Sequence, residues 1–384
     1  MDDNKVIIIG GGIGGMTAAV GLQQEGIPVA IHERQPALME LGTGVGIQRV
    51  ARQGIAMLGL EDALGSIESD RYDALVHVSY KDGRTLAAIP WHRAVAAVHR
   101  GELLELLEHA LGDLSVVRCS SECVGFEQDA DGVTARFADG SDDRGIALVG
   151  ADGLHSVIRS QIVNDGKPRH WGWTVWRGMP EYTHPSLPSD KAHQIWGPAT
   201  VFGMYPVRSR LFWYAGAMRP EGFGDPPAGR KRDLLDIFGG WPEGVPEVIG
   251  ATPEEIIDRQ DVYDRDPVSR WSDRRVTLLG DAAHPTMPSL GQGAGMAIED
   301  GAVVGRELAA ADALDAAGAV EAALRRYEEA RIPRTAGIVK RSRRMSRVNS
   351  LKRPRAVALR EKVQSSLPQS FWQRLWEHEG TYEL

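Results

Sequence analysis

The sequence predicts an α/β protein in which a parallel strand–helix unit is interleaved with a separate β-sheet unit and closed by C-terminal helices. Three observations carry this. A β-branched run, Val6 to Ile9, stops at a glycine cluster and is followed at once by the helical apolar pattern Ile13, Met16, Ala19, Leu22. A second β-run, Val276 to Leu279, ends similarly at Gly280-Asp281 and leads to another helix entered through glycines. Between them, Gly172 to Gly216 alternates as strands do, is dense in aromatic residues and lacks a long helical pattern.

The chain has 384 residues, enough for a sizeable core in one large or two interleaved domains. A net charge of −8 argues against general nucleic-acid binding and fits recognition of a small molecule. No basic, apolar leader precedes the first glycine turn, so a cytoplasmic location is expected. No apolar run approaches the ~20 residues of a membrane span. Cys119 and Cys123 read as i, i+4 in one strand, about 13 Å apart, which makes them reduced thiols and neither a disulfide nor a metal pair.

Gly10, Gly12 and Gly15 have the GxGxxG spacing, in which missing side chains allow a tight turn and let the backbone approach a pyrophosphate at a helix N-terminus. Such a cluster also serves as a plain turn. The second strand, Pro28 to His32, ends at Glu33, where a dinucleotide fold hydrogen-bonds the adenosine ribose. This favours a dinucleotide. Leu41 to Ile47 (LGTGVGI) is a loop whose backbone lies close to something, or a flexible surface loop. Helices are expected over Gln48 to Leu58 and Val98 to Leu111, the latter with Arg100 ahead of its first turn, where a cation is disfavoured unless it faces an anion. Asp131-Gly132 and Asp139-Gly140 separate three short strands of an antiparallel meander. It leads into Asp152-Gly153, with Ser156 and Arg159 at helical spacing.

In the aromatic segment, Thr200 to Pro206 and Arg210 to Ala215 read as paired strands. Phe202 and Met204 share one face of the first; Arg210, Phe212 and Tyr214 share one face of the second. An aromatic wall with one cation and one phenol suits a planar anionic ligand. A sheet core with Arg210 and Tyr214 at its rim has the same pattern. A helix over Lys231 to Phe238 follows, and then the stretch from Arg275 to Asp300, where Asp281 offers a carboxylate to a polyol and Gly291, Gly293 and Gly295 open a helix N-terminus toward a developing anion. Helices at Val320 to Ala330 and Arg334 to Met345 end the pattern. The basic run from Lys340 to Arg355 reads as a solvated face, with lipid or an acidic partner as alternatives, and Trp372 and Trp376 as packing that docks the tail.

Three motifs thus stand in order: Gly10-x-Gly12-x-x-Gly15, Asp152-Gly153 with Ser156 and Arg159, and Gly280-Asp281 with its loop to Gly295. Together they resemble the single-component FAD-dependent aromatic hydroxylases, the group of para-hydroxybenzoate, salicylate, 3-hydroxybenzoate and urate hydroxylases. The resemblance covers nearly the whole chain. It implies a glutathione-reductase-like FAD-binding Rossmann domain (1–75, 96–165 and 270–335), a substrate-binding β-sheet domain (76–95 and 166–269) and a C-terminal helical tail (336–384).

By position, Gly10, Gly12, Ile13, Gly14 and Gly15 would bind the pyrophosphate, and Glu33 with Arg34 the adenosine ribose. Gly46 would lie beside the flavin, Arg100 near ribitol and phosphate, Cys123 through its backbone near adenine, and Asp281 on ribitol or pyrophosphate oxygens. Pro288, Gly291, Gly293, Ala294 and Gly295 would wrap the isoalloxazine. Phe202, Met204, Arg210, Phe212 and Tyr214 would bind substrate, with Arg210 and Tyr214 as the catalytic candidates. The implied reaction is hydroxylation of a small aromatic substrate with NADH or NADPH and O2, through a flavin C4a-hydroperoxide, by a monomer or homodimer with no metal. Epoxidation, Baeyer–Villiger oxidation, natural-product tailoring and a non-catalytic flavin redox or sensor protein are the alternatives. Urate hydroxylases share an arginine matching Arg210 but carry an acid near Ser289, which weakens urate as substrate.

Overall fold

The computed structural model describes residues 4–38, 43–184, 187–242, 244–311, 314, 318–368, 370–372, 374 and 382–384. In chain order the elements are β1 (Val6–Ile9), α1 (Ile13–Gln24), β2 (Val29–His32), β3 (Gly44–Ile47), α2 (Arg49–Met57), α3 (Glu61–Ile67), β4 (Tyr72–Val78), β5 (Thr85–His99) and α4 (Arg100–Leu111). Then come β6 (Val117–Arg118), β7 (Cys123–Gln128), β8 (Val133–Phe137), β9 (Asp142–Gly145), β10 (Ala147–Gly150), α5 (Val157–Ile162), β11 (Arg169–Gly178), β12 (Lys191–Gly197), β13 (Thr200–Val207) and β14 (Arg210–Met218). The chain closes with α6 (Arg230–Phe238), α7 (Val245–Ala251), β15 (Asp258–Asp264), β16 (Val276–Leu278), α8 (Gly293–Ala309), α9 (Ala319–Asn349) and α10 (Pro354–Ser366).

A parallel sheet in the order β16-β10-β1-β2-β6 forms the first layer. Its central strands are apolar throughout and fully buried, as strands covered on both faces must be. Helices α1 and α8 pack together against it through glycines: a Cβ on Gly301 would stand 2.8 Å from the Gly14 carbonyl oxygen, so only hydrogen allows the two backbones this close. The meander β7-β8-β9 flanks this layer. The mixed sheet β15-β11-β14-β13-β12-β4-β5-β3 is the second layer, with α6 and α7 behind it. Long β5 carries the chain back to α4 and pairs with β3, so residues 96–99, which the sequence reading grouped with the first unit, finish a strand of this second sheet.

Two sequence expectations change. Cys119 precedes β7 while Cys123 begins it, so the two are not in one strand; both are free thiols. The two expected terminal helices are one, α9, running through Pro333 without a break. A proline inside a helix costs about 3 kcal/mol. Here Arg331 and Arg334, on either side of Pro333, both reach Glu299 of α8 (2.6 and 2.7 Å), which ties the helix to α8 on both sides of the proline. Leu41, Gly42 and Trp376 lie outside the described residues.

Candidate active site

One cavity of about 980 Å³ runs from the glycine turn after β1, past the start of α8, to the inner face of the second sheet. Its first end is built by the β1–α1 turn. Gly10 has φ +111°, and a Cβ there would lie 2.3 Å from the Ala151 carbonyl oxygen; one on Gly15 would lie 2.0 Å from the Gly10 oxygen. Both glycines are therefore obligatory. Glu33 lines this end, its carboxylate accepting from the backbone N–H of Gly11 (2.8 Å) and Gln35 (2.8 Å). Arg34, Gly12, Ile13, Gly14 and Cys123 line it too. Burial pushes the Cys123 thiol up to about 11, so it is a neutral wall group.

Arg100 and Asp281 meet in the middle of the cavity, joined by Arg177. Asp281 opens onto the cavity but is enclosed by protein, which pushes its carboxyl up, while His284, Arg100 and Arg177 oppose that shift. Its turn is held by buried groups. Arg159 donates to the carbonyls of Ala282 (2.9 Å) and Ala283 (2.7 Å), and Asp300 accepts from Gly280 N–H (3.1 Å) and pairs with His284 (2.5 Å) and Arg331 (2.7 Å). Asp152 caps α5 through Val157 N–H (2.8 Å), and Ser156 caps it through Arg159 N–H (2.8 Å). The Asp152-Gly153 motif thereby aims Arg159 at the Gly280-Asp281 turn, coupling two motifs across the 123 residues from Arg159 to Ala282.

Gly46, Pro288, Gly291, Gly293 and Ala294 line the next stretch, where the 17-residue α8 points its N-terminus into the cavity. Gly291 has φ +63°, which favours glycine. Gly295 lies one turn into α8, off the cavity and against α2; a Cβ there would sit 3.2 Å from that of Ala51.

The far chamber is walled by the second sheet. Cross-strand register sets its face: Tyr205 opposes Phe212, and Gly203 opposes Tyr214. These side chains point into the chamber. Phe202 opposes Ala215 and Met204 opposes Trp213, so Phe202 and Met204 point to the other face, into the core under α6 and α7. They are not wall residues: the two strands were read on their apolar pattern, whereas pairing decides which faces coincide. Arg210 is also displaced. It shares a face with Phe212 and Tyr214 but sits at the strand end, bound to Glu102 (2.7 Å) and Glu181 (2.8 Å) and off the cavity.

Side chains that sequence reasoning missed complete the chamber. Gln194 donates through its amide to the Tyr214 phenol. Gln364 Nε2 donates to His77 Nδ1 (2.9 Å), which places the ring proton on Nε2, facing Gln194. Burial lowers His77 to about 4, helped by Arg360, so it is neutral near pH 7. Trp91, Trp196 and Trp372 add aromatic surface. Arg177 leans across to Asp258 (3.3 Å) and Gln260 (3.1 Å) on β15, away from the β14 side where Tyr214 lies. Among the described residues, the wall beyond Arg177 carries no charged side chain. Only register and distant pairing reveal this set.

A glycine turn for a pyrophosphate, an acid at the end of the second strand, a carboxylate open to the cavity for a polyol and a helix N-terminus for a flavin ring all face one cavity. This defines an FAD-dependent oxidoreductase, and the residues present fit that cofactor. A family model described as FAD binding domain matches residues 3–342, and the chain belongs to this family, whose members here are FAD-dependent monooxygenases. The chain is 36% identical over 366 residues to the aurachin C monooxygenase/isomerase of Stigmatella aurantiaca, covering 93% of each. It is 34% identical to the 3-amino-4-hydroxybenzoate 2-monooxygenase of Streptomyces cremeus, covering 90% of this chain and 87% of that one. The HpxO of Klebsiella pneumoniae complexed with FAD and uric acid is similar in structure (TM-score 0.87, 27% identity, 98% and 96% coverage). Among the described residues no helix is long and apolar enough to cross a membrane.

Proposed function

We propose that this chain is an NAD(P)H-dependent monooxygenase that places one oxygen atom of O2 on a small, planar, neutral aromatic substrate bearing a hydroxyl or similar oxygen substituent. FAD, when bound, supplies the redox chemistry between nicotinamide, oxygen and substrate. Gly10 to Gly15 and Glu33 would hold its adenosine end, Arg100 and Asp281 the ribitol and phosphates, and Gly46 with the Pro288 to Ala294 stretch the ring. The N-terminus of α8 favours negative charge there.

The Tyr214–Gln194–His77 series carries the substrate reading. Burial raises the Tyr214 phenol, so it stays protonated, with its oxygen supported by Gln194 and Tyr205. As a donor it holds the substrate's oxygen and favours its ionised form, which makes the ring electron-rich. Tyr205, Phe212 and Trp91 orient the ring and exclude water. A substrate carboxylate would enter a wall without a free cation, since Arg210 is bound by two glutamates and Arg177 leans to β15. Removing such a charge from water is costly. A neutral aromatic is therefore favoured, although the Streptomyces relative is named for a benzoate.

A panel of phenols, hydroxyquinolines and hydroxybenzoates, scored for NADH and NADPH consumption and for oxygenated product by mass, tests this. The expectation is coupled turnover with neutral members. Preference for hydroxybenzoates would sink the neutral-substrate reading, and no stimulation by any aromatic would favour epoxidation or a carrier role.

A further inference from the structure

The basic run near the C-terminus has no part in the reaction above, and α10 is built inside out. Apart from Val357, its inward face is polar, with Arg360, Glu361 and Gln364 all buried, while Leu359 and Val363, one turn apart, stand 62% and 47% exposed. The inward polar groups are used: Arg360 donates to the carbonyls of Trp196 (2.6 Å) and Gly197 (3.0 Å), and Gln364 bonds His77. The outward apolar groups are not. Of the eight large apolar side chains exposed among the described residues, four (Val348, Leu359, Val363 and Phe371) fall in this one segment. An amphipathic helix of a soluble core has the reverse pattern.

The surrounding charge is one-sided. Between Lys340 and Lys362 there are ten Lys and Arg residues and one acid, Glu361, in a chain of net charge −8. Arg344, Arg347, Lys352, Arg353, Arg355 and Lys362 are exposed, and none takes part in an ion pair among the described residues. On α10, Arg355, Leu359, Lys362 and Val363 fall at i, i+4, i+7 and i+8, so cations and apolar groups share one outward stripe.

We propose that this stripe docks the protein on an anionic lipid surface, with Leu359 and Val363 in the acyl boundary and the flanking cations on the headgroups. Charge complementarity selects this occupant. A second copy of the chain packed through the same face would set cation against cation, and so narrow an apolar stripe falls short of the ~800 Å² per partner of a stable dimer. A nucleic acid would pair the cations but leave Leu359 and Val363 unused. Because Arg360 and Gln364 of this helix hold Trp196 and His77 of the chamber, docking would set the chamber against the bilayer.

The test is cosedimentation of the FAD-loaded protein with phosphatidylcholine vesicles, with and without roughly a third phosphatidylglycerol. Binding to the anionic vesicles only is expected, weakening as salt rises from roughly 0.05 to 0.5 M. Lys352→Ala with Arg355→Ala should weaken it roughly 25-fold, about fivefold per cation. Leu359→Gln with Val363→Gln should weaken it roughly tenfold or more, since about half of each aliphatic side chain is still to be buried. Both pairs lie on the surface, and NAD(P)H turnover with a water-soluble substrate should stay unchanged. No binding to anionic vesicles overturns the proposal. So does binding untouched by the Leu359/Val363 pair, which marks simple polyanion adhesion, or a dimer that this pair dissociates.

Discussion

The Tyr214 ring lies over Gly203: a Cβ built on Gly203 would stand 2.3 Å from Tyr214 Cε1 and 2.7 Å from its phenol oxygen. The absent side chain on β13 sets the phenol's position. Gly203→Ala is therefore expected to move the ring off its hydrogen bond to Gln194 and to lower kcat by roughly tenfold or more, as small misplacements do. The flavin spectrum should be unchanged, because Gly203 is remote from the cofactor end. Stopped-flow reduction and product assay would separate the two effects.

Tyr214→Phe keeps the ring and removes the hydrogen bond. A loss of about 100-fold in product formation is expected, with NAD(P)H oxidation persisting as uncoupled turnover. Wild-type coupling in this variant would remove Tyr214 from the mechanism.

Arg210→Ala tests the strongest correction to the sequence reading. Glu102 is partly exposed and Glu181 exposed, so solvent screens both pairs and their loss should cost little stability. Turnover and KM should be near wild type. A large rise in KM for any substrate would return Arg210 to the chamber.

The buried set Asp300, Arg331 and His284 holds the Gly280-Asp281 turn. Arg331→Met removes the guanidinium from buried Asp300, which keeps His284, while Glu299 keeps Arg334; a cost of about 3 kcal/mol is expected, with weaker FAD retention. Burial would raise Asp300, yet His284 and Arg331 hold it at about 2, so its stabilisation is full above the unfolded carboxylate pKa and is lost as pH falls toward 2.

His77 acts over a different range. Its folded pKa of about 4 lies below the unfolded value of 6.5, so the unfolded chain binds the extra proton between them. Stability should then fall by about 3 kcal/mol as pH drops from about 6.5 to 4. His77→Gln should flatten that slope in denaturant melts at successive pH values.

How far the sequence reached follows from what each signal encodes. Gly10 to Gly15, Glu33, Asp281, Gly291, Gly293 and Ala294 are local: turn geometry and strand ends fix them, and all line the cavity. Arg159 was visible as part of a motif, but its reach to Ala282 and Ala283 was not, because nothing local links residues so far apart. The substrate wall was half legible. Alternation placed Phe212 and Tyr214 on one face, yet the β13 partners were Tyr205 and Gly203, since register depends on the Arg208-Ser209 turn. His77, Gln194 and Gln364 come from three separate segments and carry no motif. The expected break between Ala330 and Arg334 is absent because α9 runs on through Pro333, with Arg331 and Arg334 both tied to Glu299.

The proposed reaction places one oxygen atom on a neutral aromatic in a chamber whose wall beyond Arg177 carries no charged side chain among the described residues. The most direct measurement is product mass under ¹⁸O₂ when a hydroxyquinoline and a hydroxybenzoate compete for the FAD-loaded enzyme with NAD(P)H. A single ¹⁸O atom is expected in the hydroxyquinoline product and little in the hydroxybenzoate. Labelled hydroxybenzoate as the main product, or no label in either, would contradict it.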